Sequence, residues 1–142
     1  MIATGYSTWQ GSWKEGSGTL ATKSDVLPAT PYTFASRFEG APGASPEELL
    51  STALAGCFNQ ALTNNFGMIG FTAESIETSI DIELGYGDNG HPALKNAKVT
   101  TTAKAPGLSK EQFDYCAERA RTTCTIAMIL KIELSMTATL VS

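Results

Sequence analysis

Cys57 and Cys124 are the side chains best able to carry chemistry, and Arg37 and Glu47 are the charged pair that could serve them. A thiol reacts as its thiolate, and lowering its pKa takes a nearby cation or a helix N-terminus. Cys57 is expected in the middle of a helix, where the dipole offers little help. It therefore needs a cation, and Arg37 is a candidate that does not itself deprotonate. The two cysteines are too distant in sequence for a local Cys-x-x-Cys motif, but they could face one site if their helices pack together. The plain alternative for Cys57 is a small buried hydrophobe, because free cysteine is among the most buried residue types. Cys116 is read that way, as core packing.

Two other chemistries draw on the same residues. Cys57, Cys116, Cys124 and His91 could be four metal ligands, yet structural zinc sites favour two close pairs and this spacing fits no such template. A Cys–His hydrolase would need His91 beside a cysteine. His91 falls in a Gly- and Pro-containing turn, where exposure is expected.

The element that must position Cys57 is a helix beginning after Ser45 and ending near Phe66-Gly67. Ser45 is an N-cap, Pro46 suits the first helical position, and Glu48 can close a capping box. Glu47 and Glu48 face the positive end of the helix dipole. Leu50, Ala53, Leu54, Cys57, Phe58, Ala61 and Leu62 recur at helical spacing, which puts Cys57 on the apolar face. Leu49, Leu50 and Phe66 widen that face, so burial on most sides is expected. The small residues Ala53, Gly56 and Ala61 would let other segments approach closely. Glu47 precedes Cys57 by ten residues, roughly 15 Å along a helix, which a glutamate side chain cannot span. If Glu47 serves the Cys57 site, it comes from a second subunit, as two antiparallel copies of this helix crossing in a dimer would allow.

Around this helix the alternation of residue types predicts strands. Residues 6–13 form a first strand and 19–24 its return across a turn at 14–16, with Gly11, Gly16 and Gly18 permitting tight backbone geometry. Trp9 and Trp13 are read as cross-strand packing. Residues 32–38 alternate as a third strand, with Arg37 on the face opposite Phe34, Ser36 and Phe38. Residues 76–84 and 97–103 make a loose hairpin. Ser109-x-x-Gln112 caps a second helix carrying Phe113, Cys116, Ala117 and Ala120, residues 126–130 add a helical turn, and 132–140 close as a strand. The sum is an α+β fold in a single domain over 1–142, with about six antiparallel strands around two main helices.

Hydrophobic residues make up 42% of the chain and charged residues 17%, which fits a globular protein with part of its surface covered by a partner chain. The net charge of −4 argues against nucleic acid or an anionic membrane as partner. Three cysteines are an odd number and no disulfide framework. The longest uncharged run, 49–73, contains Asn and Gln and is a poor membrane span. No charged-then-apolar leader opens the chain, and a cytoplasmic location is expected.

The pieces Arg37-Phe38-Glu39-Gly40, Ser45-Pro46-Glu47-Glu48-Leu49-Leu50, Ala53 through Cys57-Phe58, and Cys124 before an apolar turn resemble the OsmC/Ohr family of osmotically inducible and organic-hydroperoxide-resistance proteins. Trp9-x-Gly11, Gly16-x-Gly18-Thr19 and the 32–38 stretch look like the OsmC branch. The resemblance implies an OsmC-like intertwined homodimer with two sites at the interface, and a thiol peroxidase that reduces small organic hydroperoxides better than hydrogen peroxide. It implies Cys57 as the peroxidatic and Cys124 as the resolving cysteine, Arg37 holding Cys57 as thiolate, and Glu47 orienting Arg37. It also implies apolar walls from Leu50, Leu54, Phe58 and Phe34. No metal or bound cofactor is needed, and the reductant looks like an external lipoyl-type dithiol. Thr125 departs from the family pattern, standing where many relatives have proline. A ligand-binding or structural dimer that kept the fold without turnover is the alternative.

Overall fold

A computed structural model describes all residues, Met1–Ser142. The chain divides into two compact units, Met1–Leu49 and Leu50–Ser142.

The first unit is a three-stranded antiparallel sheet in chain order: β1 (Gly5–Gln10), β2 (Ser17–Thr22) and β3 (Thr30–Thr33). Gly18 sits between Trp9 and Tyr32 in one row across this sheet. A Cβ built on Gly18 would stand 1.9 Å from the Thr8 carbonyl oxygen and 2.9 Å from the Tyr32 ring. The missing side chain lets Trp9 and Tyr32 meet over the glycine, with ring centroids 5.1 Å apart. Gly18→Ala is therefore expected to cost at least about 2 kcal/mol, since β1 and β2 must part to admit the methyl group. A thermal melt checks this, and an unchanged melting temperature would show that the two strands separate freely. Trp13 falls in the turn after β1 rather than in a strand. It packs edge-on against Phe34 at 4.9 Å, so only Trp9 makes the expected cross-strand contact.

The expected strand over 32–38 is corrected. It breaks after Thr33 into a five-residue helix, α1 (Phe34–Phe38). Thr33 and Ser36 build a reciprocal capping box: the Ser36 N–H donates to Thr33 Oγ1 at 3.0 Å and the Thr33 N–H to Ser36 Oγ at 2.9 Å. Phe34 and Phe38 then stack at 4.8 Å. A spacing of four residues satisfies both a strand's alternation and a helix's i, i+4 neighbours, so the aromatic pattern alone could not choose. Hydroxyls at positions 33 and 36 chose.

Helix α2 (Pro46–Met68) opens the second unit after its first turn. It buries Leu54, Phe58, Leu62, Asn65 and Phe66, a single stripe, while Ala53, Gly56 and Gln60 stay exposed. A hairpin of β4 (Ser75–Tyr86) and β5 (Pro92–Lys104) follows, then α3 (Lys110–Thr123), a 3-10 turn over Ala127–Ile129, and β6 (Leu134–Val141). The capping box at Ser109 and Gln112 starts α3 as its spacing predicts.

Strand order in this sheet is β4-β5-β6, and β6 runs parallel to β5. This corrects the all-antiparallel expectation. Helix α3 carries the chain back past β5, so the next strand enters in the same direction, as a helical crossover requires. Ala97, Val99 and Ala103 of β5 pack with the α2 stripe and with Phe113, Cys116, Ala117 and Ala120 of α3. Asn65 Nδ2 donates to the Cys116 carbonyl at 3.0 Å and ties the two helices inside the core. No helix is long and apolar enough to cross a membrane.

Candidate active site

Arg37 is presented by α1 and Glu47 by the first turn of α2. Arg37 Nε donates to both carboxylate oxygens at 3.0 and 3.1 Å, and Nη2 donates to Oε1 at 2.6 Å. Such a fork holds a guanidinium in one plane as well as in one place. The pair is partly sheltered, with 34% of the Arg37 side chain and 11% of the Glu47 side chain exposed. Burial pushes the Glu47 carboxyl up. The Arg37 hydrogen bonds and charge, with a further bond from Ser45, outweigh that and leave it below the ordinary range. Ser45 Oγ lies 3.1 Å from Glu47 Oε2 as donor and 3.3 Å from the Glu48 N–H as acceptor, so the cap of α2 also steadies the carboxylate. None of these bonds uses Arg37 Nη1. The guanidinium also lies over the Phe38 ring, 5.0 Å from its centroid.

Cys57 stands on α2 and is half-buried; Cys124 caps the C-terminus of α3 and is 2% exposed. Both are free thiols. The segment after Cys124 brings them together. The Ile126 N–H donates to Cys57 Sγ at 3.4 Å, and the Ala127 N–H donates to Cys124 Sγ at 3.4 Å. Two neighbouring amides thus serve two sulfurs that lie far apart in the chain. Burial pushes the Cys124 thiol up, and the adjoining Cys57, in hydrogen-bonding reach, pushes it further against the pull of the Ala127 amide. Cys124 is therefore a neutral thiol near neutral pH, and Cys57 is the sulfur an external molecule can reach.

The residues expected as apolar walls separate by burial. Leu50 is half-buried, whereas Leu54 and Phe58 have no accessible surface and belong to the core beneath Cys57. Phe34 lines a different feature, a cavity of about 250 Å3 in the first unit that it shares with Arg37 and four other aromatic rings. His91 is exposed in the turn between β4 and β5, where its N–H donates to Asn89 Oδ1. Cys116 is core, and burial raises its thiol. No cluster of three or more His, Cys, Asp or Glu side chains could hold a metal ion. Sequence reading missed the two amides at positions 126 and 127. Backbone donors leave no residue-type signal; the only hint was the break in helical pattern at Cys124. It also missed Ser45 as a partner of Glu47, although its place two residues upstream was visible.

The chain is 39% identical over 132 residues to the peroxiredoxin OsmC of Escherichia coli (strain K12), covering 93% of this chain and 92% of that protein. In fold it resembles an OsmC-like protein of unknown function from Vibrio cholerae, with a TM-score of 0.75, 16% identity, and coverage of 97% of this chain and 99% of that one. It also resembles the organic hydroperoxide resistance protein OhrB of Bacillus subtilis, with a TM-score of 0.69, 19% identity, and coverage of 96% and 97%. The OsmC-like protein family model matches residues 38–139, nearly three-quarters of the chain, and with the close curated relative this shows that the chain belongs to the OsmC family.

Proposed function

We propose that this OsmC-family protein is a two-cysteine peroxidase that reduces organic hydroperoxides to alcohols in oxidative and osmotic stress defence. The observation that carries the reading is the pair of sulfurs held by the Ile126 and Ala127 amides, one reachable and one buried. The peroxiredoxin name of the E. coli relative supports it.

The Cys57 thiolate attacks the distal peroxide oxygen. The O–O bond breaks, its electron pair leaves on the alkoxide, and a proton from solvent completes the alcohol; Cys57 is left as sulfenic acid. Cys124 sulfur then attacks Cys57 sulfur. Hydroxide leaves and takes the Cys124 proton as water, giving a Cys57–Cys124 disulfide. An external dithiol of lipoyl type returns two electrons by exchange. The division of labour follows from exposure: a buried neutral thiol cannot meet the peroxide but can meet a sulfenic acid formed beside it.

Arg37, oriented by Glu47, stabilises the thiolate and the charge that develops on the leaving oxygen. Glu47 and Cys57 share α2, ten residues apart. The Arg37–Glu47 pair is therefore assigned to the partner subunit's Cys57, in a homodimer with two interfacial sites. The exposed, uncharged side of α2 around Ala53 and Gly56, where a Cβ on Gly56 would meet nothing within 4 Å, is the surface a second copy would cover. A reducing compartment such as the cytoplasm keeps both thiols ready.

The test is stopped-flow consumption of cumene or tert-butyl hydroperoxide by reduced protein, followed by mass spectrometry. Rapid consumption with loss of two hydrogen atoms and a mapped Cys57–Cys124 bridge is expected. A rate no greater than that of a free thiol would reject the enzyme and leave a binding or structural dimer.

A further inference from the structure

Between Cys124 and Leu134 the chain leaves α3, delivers two amides to the two sulfurs, and returns as β6. Apart from the single 3-10 turn, no regular structure stiffens this segment. Its side chains Ile126, Ala127, Leu130 and Ile132 are only partly buried against the core. The fixing of its ends therefore matters. Arg121, in the last turn of α3 and three residues before Cys124, reaches across to the far end, where its Nη1 donates to the Leu134 carbonyl at 2.7 Å. The Ala97 N–H donates to the neighbouring Glu133 carbonyl at 3.2 Å, which seats that end on β5. The guanidinium is itself held. Nε donates to Glu118 Oε2 at 2.8 Å and Nη2 to Glu118 Oε1 at 2.5 Å, a fork that fixes its plane and leaves Nη1 for the carbonyl. The Arg121 hydrogen bonds hold the Glu118 carboxyl below the ordinary range although burial acts the other way, so the fork is charged near neutral pH. One side chain thus closes the two ends of the segment that carries both amides.

We propose that Arg121 is a positioning residue for disulfide formation: by tying the end of α3 to the start of β6 it keeps the Cys124 sulfur beside the Cys57 sulfur. Its part in peroxide turnover rests on the peroxidase reading; its hold on the two sulfurs does not. The bond to be formed is short and directional, about 2.05 Å between sulfurs with the Cβ atoms roughly 3.5–4.5 Å apart. A misplacement of about 1 Å at such a step costs up to about a hundredfold in rate. The Cys57 sulfur is placed by α2, an element to which none of the Arg121 hydrogen bonds runs. Loosening Arg121 therefore acts on the second sulfur and spares the first. Lysine is only a partial substitute: its ammonium can reach the Leu134 carbonyl, but it has no planar fork to hold Glu118 at the same time.

The experiment uses an aryl disulfide, dithiobis(nitrobenzoate), as oxidant, so that it does not depend on peroxide chemistry. The Cys57 thiolate of the reduced full-length protein attacks the reagent, forming a mixed disulfide and releasing one thionitrobenzoate anion. Cys124 sulfur then attacks the Cys57 sulfur of that mixed disulfide, gives its proton to solvent and releases the second thionitrobenzoate. Stopped-flow absorbance reads the two releases as two phases, the second independent of reagent concentration. Arg121→Met should leave the first phase close to wild type and slow the second at least about tenfold. Arg121→Lys should recover part of the rate, and Glu118→Gln should slow the second phase less than Arg121→Met does. If Arg121→Met does not fold by circular dichroism, the lysine and glutamine variants decide by the same second phase. In parallel, a sulfenic-acid probe should label Cys57 after hydroperoxide in Arg121→Met and not in the wild type. An unchanged second phase, a wild type with no second phase, or two phases slowed by the same factor would overturn the proposal, the last because a merely structural residue acts on both. A selectively slowed second phase in a protein that consumes peroxide no faster than a free thiol would keep the role of Arg121 and sink the peroxidase reading instead.

Discussion

Cys57→Ser is expected to lower hydroperoxide consumption at least about 10³-fold, because it removes the attacking sulfur itself. Cys124→Ser should behave differently. It leaves the reachable thiol in place, so the first turnover by stopped flow should stay close to the wild-type rate. Steady-state turnover with a dithiol should collapse, and a sulfenic-acid probe should label Cys57 in the variant but not in the wild type. The asymmetry comes from burial: one sulfur is half-exposed on α2 and the other is sealed at the end of α3. Equal loss of the first turnover in both variants would mean that the two thiols act as one unit, and the assigned order would be wrong. Thr125 is the residue to change next if the wild type itself accumulates sulfenic acid, since it joins Cys124 to Ile126, whose amide donates to Cys57.

Arg37→Met should cost about 10²–10³-fold in the same reaction, the scale of losing a preorganised charge at a reacting centre. Glu47→Gln should cost less, about tenfold, because the amide oxygen still accepts from the guanidinium but no longer fixes it by charge. The pair also leaves a pH signature. The Glu47 carboxyl sits below its ordinary value of 4.5 in the folded chain, so the stability it lends is complete above that value. It is lost as pH falls through the lower folded value. Denaturant titrations should show wild type exceeding Glu47→Gln by about 1 kcal/mol at neutral pH, with the gap closing in acid. A gap that widened in acid would show the sign to be reversed. Activity and stability separate the roles: an arginine that mattered only for folding would lower both in proportion.

Much of this site was legible in the chain. The Ser45-Pro46 start, the apolar stripe of α2 and the Ser109–Gln112 box are local signals, and the structure reproduces them because nothing tertiary opposes them. The family pieces around Arg37, Glu47 and Cys57 were legible too. Three things were not. The short helix under Arg37 was hidden because Phe34 and Phe38 fit two periodicities. The parallel entry of β6 was hidden because direction is set by the crossover of α3, not by any residue in the strand. The aromatic cavity was hidden because Trp13 reads as strand material and becomes a wall only when the chain turns after Gln10.

Arg37 rides on a helix whose start is fixed by the Thr33–Ser36 capping box. The side chain that bears the charge is located by hydroxyls that bear none. Mobile ions screen exposed charges beyond about 8 Å at physiological ionic strength, but they do not loosen a hydroxyl accepting from a buried amide. Thr33 and Ser36 therefore keep α1 formed, and Arg37 aimed, whatever the salt around the protein, while salt tunes only how strongly the guanidinium is felt. A rise in dissolved ions would then scale the site's field without moving its parts.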